Sequence, residues 1–262
     1  MDFFGASAVI IGNEVLSAKV EEKNGAWLIS RLHQVGIPLR FLAVVPDEVE
    51  QIVHAVNYAR TLSPNVFTSG GIGPTHDDLT VKSIARALKL PVIQHPELVD
   101  LVSRHYGPNP QPEAYRLAAV PQGSELLWHQ NLRFPVVSCQ GVYLLPGVPE
   151  LFKLQLEAVL SRMKGEPLFL IAVYFSVGEV EIVSALDRIT SEMPDVQVGS
   201  YPEFNLDSAY QVKVTAEHRE PSRVRLLVDR LLEMVPAQSV LRIDESRIAK
   251  SPKQPGAAFP VV

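Results

Sequence analysis

Cysteine is almost missing from the 262 residues: Cys139 stands alone. A lone cysteine excludes an internal disulfide and any multi-cysteine zinc site, and it suits a reducing compartment, so a cytoplasmic protein is expected. Long apolar runs are missing too. No stretch approaches the roughly 18 consecutive apolar residues that span a bilayer, and Met1-Asp2-Phe3-Phe4 lacks the basic start of a secretory signal, so no membrane association is expected. Nor is there an excess of positive charge. With 29 acidic against 24 basic residues the net charge is −5, which speaks against a general nucleic-acid binder. An anionic ligand then needs local positive groups. Neither a Gly-x-Ser-x-Gly elbow nor a Gly-x-x-x-x-Gly-Lys-Ser/Thr loop occurs, which weakens the serine hydrolase and P-loop readings.

What is present is an ordinary globular composition, 47% hydrophobic and 20% charged, enough for a sizeable core in one large or two modest domains. Ala6 to Ile11 reads as a buried strand, and Trp27, Leu28, Leu32 and Val35 recur at helical spacing up to the break at Gly36-Ile37-Pro38. Leu39 to Val45 is a second strand. Asp47 opens a helix with Val49, Ile52, Val53 and Val56 on its apolar face, Asn65 to Thr68 is a third strand, and a further helix covers Leu79 to Leu90. This alternation predicts βαβ units and a parallel sheet. Prolines between Gly107 and Pro121 mark a surface excursion with a helical middle, Ala114 to Ala119. Two apolar runs around Gln140-Gly141 predict a hairpin, and an amphipathic helix follows Pro146-Gly147-Val148-Pro149.

After Gly165-Glu166-Pro167 the pattern changes to a strand from Leu168 to Phe175, a helix from Gly178 to Thr190, strands near Val196 and from Ala209 to Thr215, and a helix from Ser222 to Met234. The expected organisation is an α/β domain over 1–166, a small α+β domain over 167–245, and a tail of linker composition over 246–262.

The strongest local signal is Thr68-Ser69-Gly70-Gly71-Ile72-Gly73-Pro74-Thr75-His76-Asp77-Asp78-Leu79-Thr80, a strand running through three glycines into a helix. Glycines permit positive φ and close approach, and the helix start offers unpaired amides to a phosphate. The alternative is a tight βα turn in which Asp77 or Asp78 caps the helix. Only one of two adjacent aspartates can cap, so the other is left as a carboxylate, and a divalent cation reconciles it with a phosphate. Glu14, just after the first strand, and Asp47, just after the second, occupy equivalent places at carboxyl ends of parallel strands. His76 reads as a solvated loop histidine, Lys82 as a helical partner of Asp78, and Cys139 as a core filler.

These residues resemble a known family. Gly12-Asn13-Glu14-Val15-Leu16, Asn24, Pro46-Asp47, the Gly70 to Thr80 run and Leu145-Pro146-Gly147-Val148-Pro149-Glu150 resemble the molybdopterin-binding-like domain. The form is similar in particular to the amino-terminal domain of CinA proteins and the corresponding domain of eukaryotic FAD synthases. Arg133-Phe134-Pro135, Gly199-Ser200-Tyr201-Pro202 and Tyr210-Gln211-Val212-Lys213 also resemble the FAD synthase form. The resemblance implies a three-layer α/β/α domain with a mostly parallel sheet that binds a nucleotide or pterin phosphate, a second smaller α+β domain, and a homo-oligomer. It further implies hydrolysis of ADP-ribose or FAD at the pyrophosphate with cobalt or magnesium, and the oxygen ligands of the carboxylates suit magnesium or manganese. Molybdopterin adenylyltransferases resemble Gly-Gly-Thr-Gly at the loop with an arginine before the aspartate; here Ile72 and Asp77 stand instead. The loss of a cation and gain of a carboxylate favours metal-assisted pyrophosphate cleavage over cofactor synthesis. A chain of this length is not expected to hold an FMN adenylyltransferase or a deamidase domain as well.

In the site that follows from the resemblance, Gly12, Asn24, Gly70, Gly71, Gly73, Pro74, Thr75, Gly147 and Glu150 bind substrate, Glu14, Asp77 and Asp78 hold metal, and Asp78, Asp77 and Asp47 act in catalysis. A competing expectation is a non-catalytic carrier or regulator that binds molybdopterin or a nucleotide through the same loop.

Overall fold

The computed structural model describes residues 4–107, 109–205 and 207–248, which divide into two compact units. One is built from the chain up to His33 and Ile37–Lys164, the other from Gln34–Gly36 and the chain from Gly165 on. In chain order the first unit contains β1 (Ala6–Ile11), α1 (Asn13–Leu16), α2 (Asn24–Gln34), β2 (Leu39–Val45), α3 (Val49–Leu62), β3 (Asn65–Ser69) and α4 (Thr80–Ala87). Then come β4 (Val92–Gln94), α5 (Pro96–Tyr106), a 3-10 turn (Pro112–Ala118), β5 (Ala119–Pro121), β6 (Glu125–Leu127), β7 (Val136–Cys139), β8 (Val142–Leu145) and α6 (Pro149–Leu160).

The main sheet has the order β2-β1-β3-β8-β7-β6. β1 lies parallel to β2 and β3, with Val9 opposite Ala43 and Thr68, and β3 is parallel to β8. All six β1 residues are buried, because a central parallel strand is covered on both faces and so reads as an unbroken apolar run. Val9 and Ile11 pack with Ile52, Val56 and Ile84 of α3 and α4; Ala8 and Ile10 point the other way and are buried as well. On that opposite face α2 and α6 are joined by Arg31, whose Nε and Nη2 donate to Glu157 Oε1 and Oε2 at 2.5 and 2.7 Å. The hairpin between β7 and β8 turns on Gln140 and Gly141, with φ of 48° and 80°, a pair of left-handed residues whose twist suits a two-residue turn.

The second unit contains β9 (Leu168–Phe175), α7 (Glu179–Glu192), β10 (Gln197–Pro202), β11 (Val212–His218), α8 (Pro221–Met234) and β12 (Val240–Ile248). Its antiparallel sheet has the order β10-β11-β9-β12. Ile171, Val173 and Phe175 of β9 join Val212 and Val214 of β11 in a core with Ile182 and Ile189 of α7 and Val224 and Leu227 of α8. β12 takes Ser246, Arg247 and Ile248 into the sheet opposite Leu170, Phe169 and Leu168, whereas the composition assigns those three residues to a tail. A polar edge strand lacks the apolar alternation by which strands are recognised. The rest of the tail, 249–262, lies outside the described residues. Among the described residues no helix is long and apolar enough to cross a membrane.

Candidate functional site

The order β2-β1-β3 places a topological switch beside β1, where the chain leaves one strand toward each side of the sheet and a crevice opens at the carboxyl ends. β1 and β2 end together, since Gly12 N donates to Val45 O at 3.1 Å. Asp47 does not open α3, which begins at Val49 after Glu48. Its Oδ2 instead accepts the amide of Asn13 at 2.7 Å. The carboxylate acts across two strand ends because the loop after β1 presents an unpaired N–H to it. Glu14, in α1, folds back over Gly12; a Cβ at that glycine would lie 2.5 Å from Glu14 Oε1.

The glycine loop leaves β3 with two residues in the left-handed region, Gly70 at φ 98° and Gly71 at φ 65°. A side chain at Gly70 would collide with Ile11 O, and one at Gly71 with Thr80 Oγ1. Buried Thr80 braces the turn: its Oγ1 donates to Gly70 O at 2.7 Å and its N to Gly71 O at 2.9 Å. Not every amide of the loop is open to a ligand. Gly70 N is taken by Leu145 O at 3.1 Å and Thr75 N by Asp78 Oδ2 at 2.7 Å. Among the described residues no partner takes the amides of Gly71, Ile72 and Gly73. Arg116, from the 3-10 turn, donates to Pro74 O at 3.0 Å and brings to the loop a cation that sequence reasoning missed; its signal was one arginine inside a proline-rich excursion.

Neither Asp77 nor Asp78 caps α4, whose first flanking residue is Leu79 with no side-chain cap. Both carboxylates turn back onto Thr75, whose Oγ1 lies 2.6 Å from Asp77 Oδ1 and 2.5 Å from Asp78 Oδ2. One hydroxyl has one proton to donate, so the pair keeps unsatisfied acceptor capacity. The Thr75 hydroxyl, then Asp77's own backbone amide and the nearby His76 hold the Asp77 carboxyl below the usual carboxylate range. Among the described residues Lys82 forms no ion pair with Asp78, whose Oδ2 is occupied by Thr75. His76 is 94% exposed, 3.9 Å from Asp77. Cys139 is buried, and burial pushes its thiol up, away from the thiolate a nucleophile needs.

Asn24 starts α2 and ties the crevice together. Its Nδ2 donates to Ser69 Oγ at 2.9 Å and to Gly147 O at 2.8 Å, while Ser69 Oγ donates to Pro146 O at 3.3 Å. Gly147 in turn abuts the loop, since a Cβ there would lie 3.4 Å from Gly70 Cα. Glu14, Asn24, Ser69, Gly147 and Pro149 line a cleft of about 50 Å³. Glu150, in the first turn of α6, is exposed and outside that lining. Among the described residues no three of His, Cys, Asp and Glu gather where they could hold a metal ion, so Glu14 does not join Asp77 and Asp78 in a three-carboxylate set.

A mostly parallel α/β sheet with a braced glycine loop and a pair of adjacent aspartates at its switch point defines the class. Residues 7–165 match the family described as "Probable molybdopterin binding domain", and the chain belongs to that family; residues 167–249 match "FAD synthase, middle domain". A protein of Archaeoglobus fulgidus is 30% identical over 228 residues, covering 87% of this chain and 96% of its own. A Caenorhabditis elegans protein named "Probable FAD synthase" is 29% identical over 258 residues, covering 88% of this chain and 50% of its own, so the chain spans about half the length of that relative. The crystal structure of the protein CinA from Thermoplasma acidophilum is similar with a TM-score of 0.57 and 26% identity, covering 62% of this chain and 99% of that one.

Proposed function

We propose that the protein is a divalent-metal-dependent nucleotide pyrophosphatase acting on ADP-ribose, FAD or both. The observation that carries this reading is the convergence of Asp77 and Asp78 on Thr75 at the lip of a loop whose Gly71, Ile72 and Gly73 amides have no partner among the described residues. The relatives named for FAD synthase direct attention to FAD as one substrate. The three amides bind a phosphate, and Arg116 adds positive charge beside them. Asp77 and Asp78 fit a magnesium-type ion, which takes one or two carboxylates and completes its shell with substrate phosphate and water. When bound, the metal lowers the pKa of water and offsets charge on the phosphoryl oxygens. Asp47 is a positioning residue that fixes the turn bearing Glu14, and Asn24 holds the Gly147 wall against the loop. Water adds to one phosphorus and the bridging P–O bond breaks, giving AMP with ribose 5-phosphate from ADP-ribose, or AMP with FMN from FAD.

One observation favours a second reading, a non-catalytic nucleotide or pterin binder: the third carboxylate, Glu14, is not gathered with the other two. Incubation with ADP-ribose and with FAD, each with magnesium, manganese or cobalt, tests the choice through AMP release. The expected result is AMP from the wild type that disappears with a chelator and in Asp78→Ala. No AMP under any metal leaves the binder.

A further inference from the structure

Asn24 is 6% exposed, and the orientation of its amide is settled by its partners. Gly147 O can only accept, so the atom 2.8 Å from it is Nδ2, and the second Nδ2 hydrogen goes to Ser69 Oγ. Oδ1 is thereby fixed as a pure acceptor, and among the described residues it has no partner, a costly condition for a buried amide oxygen. The cleft that Asn24 lines also carries Glu14, Glu21 and Glu22, against a single cation, Lys23. That lysine is paired with Glu21 at 3.1 Å, and Glu22 Oε1 accepts the Gly25 amide at 2.7 Å. Such a wall repels phosphate and carboxylate and receives a neutral donor. At about 50 Å³ the space holds a hydroxyl-sized group and not a nucleobase.

Resting on the nucleotide reading above, we infer that this cleft is a sugar subsite. Asn24 Oδ1 accepts the O–H of a ribose hydroxyl while the phosphate of the same nucleotide lies against Gly71 to Gly73, in the loop whose first glycine, Gly70, abuts the Gly147 that Asn24 holds. Glu14 stands on the same wall for the neighbouring hydroxyl, the pairing of a vicinal diol with an acid that nucleotide sites elsewhere use. Oδ1 is closed off from solvent, so the cleft opens on binding; Val15 and Val20 line it, α1 has no buried residue and Val20 is half exposed. Asn24 is thus the residue that distinguishes ribose from deoxyribose.

The test is calorimetric titration in magnesium of the wild type and Asn24→Leu with ADP, 2′-deoxy-ADP and 3′-deoxy-ADP, with a thermal melt of each protein. The wild type is expected to prefer ADP over one deoxy analogue by about ten-fold, and Asn24→Leu to bind all three alike. A second measurement covers a variant that fails to fold: in the wild type, the Asn24 side-chain amide resonance shifts with ADP and stays put with the rejected analogue. Equal affinities in the wild type, an unmoved resonance, or a variant that keeps the preference overturns the subsite, leaving Asn24 as a strut. If AMP is released from ADP-ribose yet ribose is not preferred, the subsite alone falls; if no nucleotide binds or is turned over, both fall.

Discussion

The aspartates of the glycine loop and the acids of the second unit are held in opposite ways. In the second unit Asp195 takes Arg223 through both oxygens, at 2.5 and 2.8 Å, and Glu192 takes Arg188 and Arg230 at 2.9 and 3.3 Å. The Arg223 guanidinium draws the Asp195 carboxyl down and Arg188 draws Glu192 down. In the first unit Asp77 is also drawn down, but first by a hydroxyl and a backbone amide and only last by the exposed His76, and among the described residues neither Asp77 nor Asp78 pairs with lysine or arginine. The same shift therefore carries two meanings. A guanidinium neutralises the carboxylate it stabilises, whereas a dipole stabilises the charge and leaves it available to a cation. Ionisable groups stabilised without a counter-charge at a strand-end crevice are where chemistry is to be sought.

Replacing an acid in each unit breaks this comparison most sharply. Asp78→Ala is expected to lower AMP release on the order of 100-fold or more, while Asp195→Ala leaves the rate unchanged; equal losses in a rate assay would erase the distinction. Next in size is Thr80→Val, which strips the buried hydroxyl from Gly70 O and leaves that carbonyl unsatisfied. Urea unfolding should show a loss of about 1–3 kcal/mol, with the loop's activity falling alongside.

A smaller effect separates dipole from counter-charge. Thr75→Val removes the hydroxyl that is the first cause of the lowered Asp77 pKa. Ionised Asp77 is present above its folded pKa and is lost as pH falls through it, so the acid limb of the pH–rate profile should move to higher pH in the variant. An unmoved limb would mean that Asp77 does not set it. Smallest is Arg223→Ala. The lowered Asp195 pKa contributes stability that is present above the unfolded carboxylate pKa and lost as pH falls through the folded one. Melting temperatures of the two proteins should differ slightly at neutral pH and converge in acid and in high salt.

Much of the first unit was legible in the chain itself. The buried run of β1, the helical spacing of Leu28 and Leu32, and the turn at Gln140-Gly141 each depend on neighbours a few residues away. The glycine loop was legible for the same reason, since Gly70 and Gly71 occupy conformations closed to other residues. β12 escaped because a charged edge strand is recognised by pairing with β9 and not by its own pattern. Asp47 was misread as a helix opener because its partner, Asn13 N, lies 34 positions away. Asp78 was misread as a partner for Lys82 because helical spacing says nothing of a competing Thr75 hydroxyl.

By itself the amino-acid sequence determined the alternation of strands and helices, the place of the glycine loop and the supply of carboxylates around it, because periodicity, backbone freedom and residue chemistry are local properties. Only the tertiary structure decided which donor each carboxylate meets, and which atom of Asn24 faces the cleft. Those choices depend on Ser69, Gly147 and Val45 arriving at one sheet edge from distant parts of the chain, where a hydrogen bond of about 3 Å selects one orientation and excludes the rest.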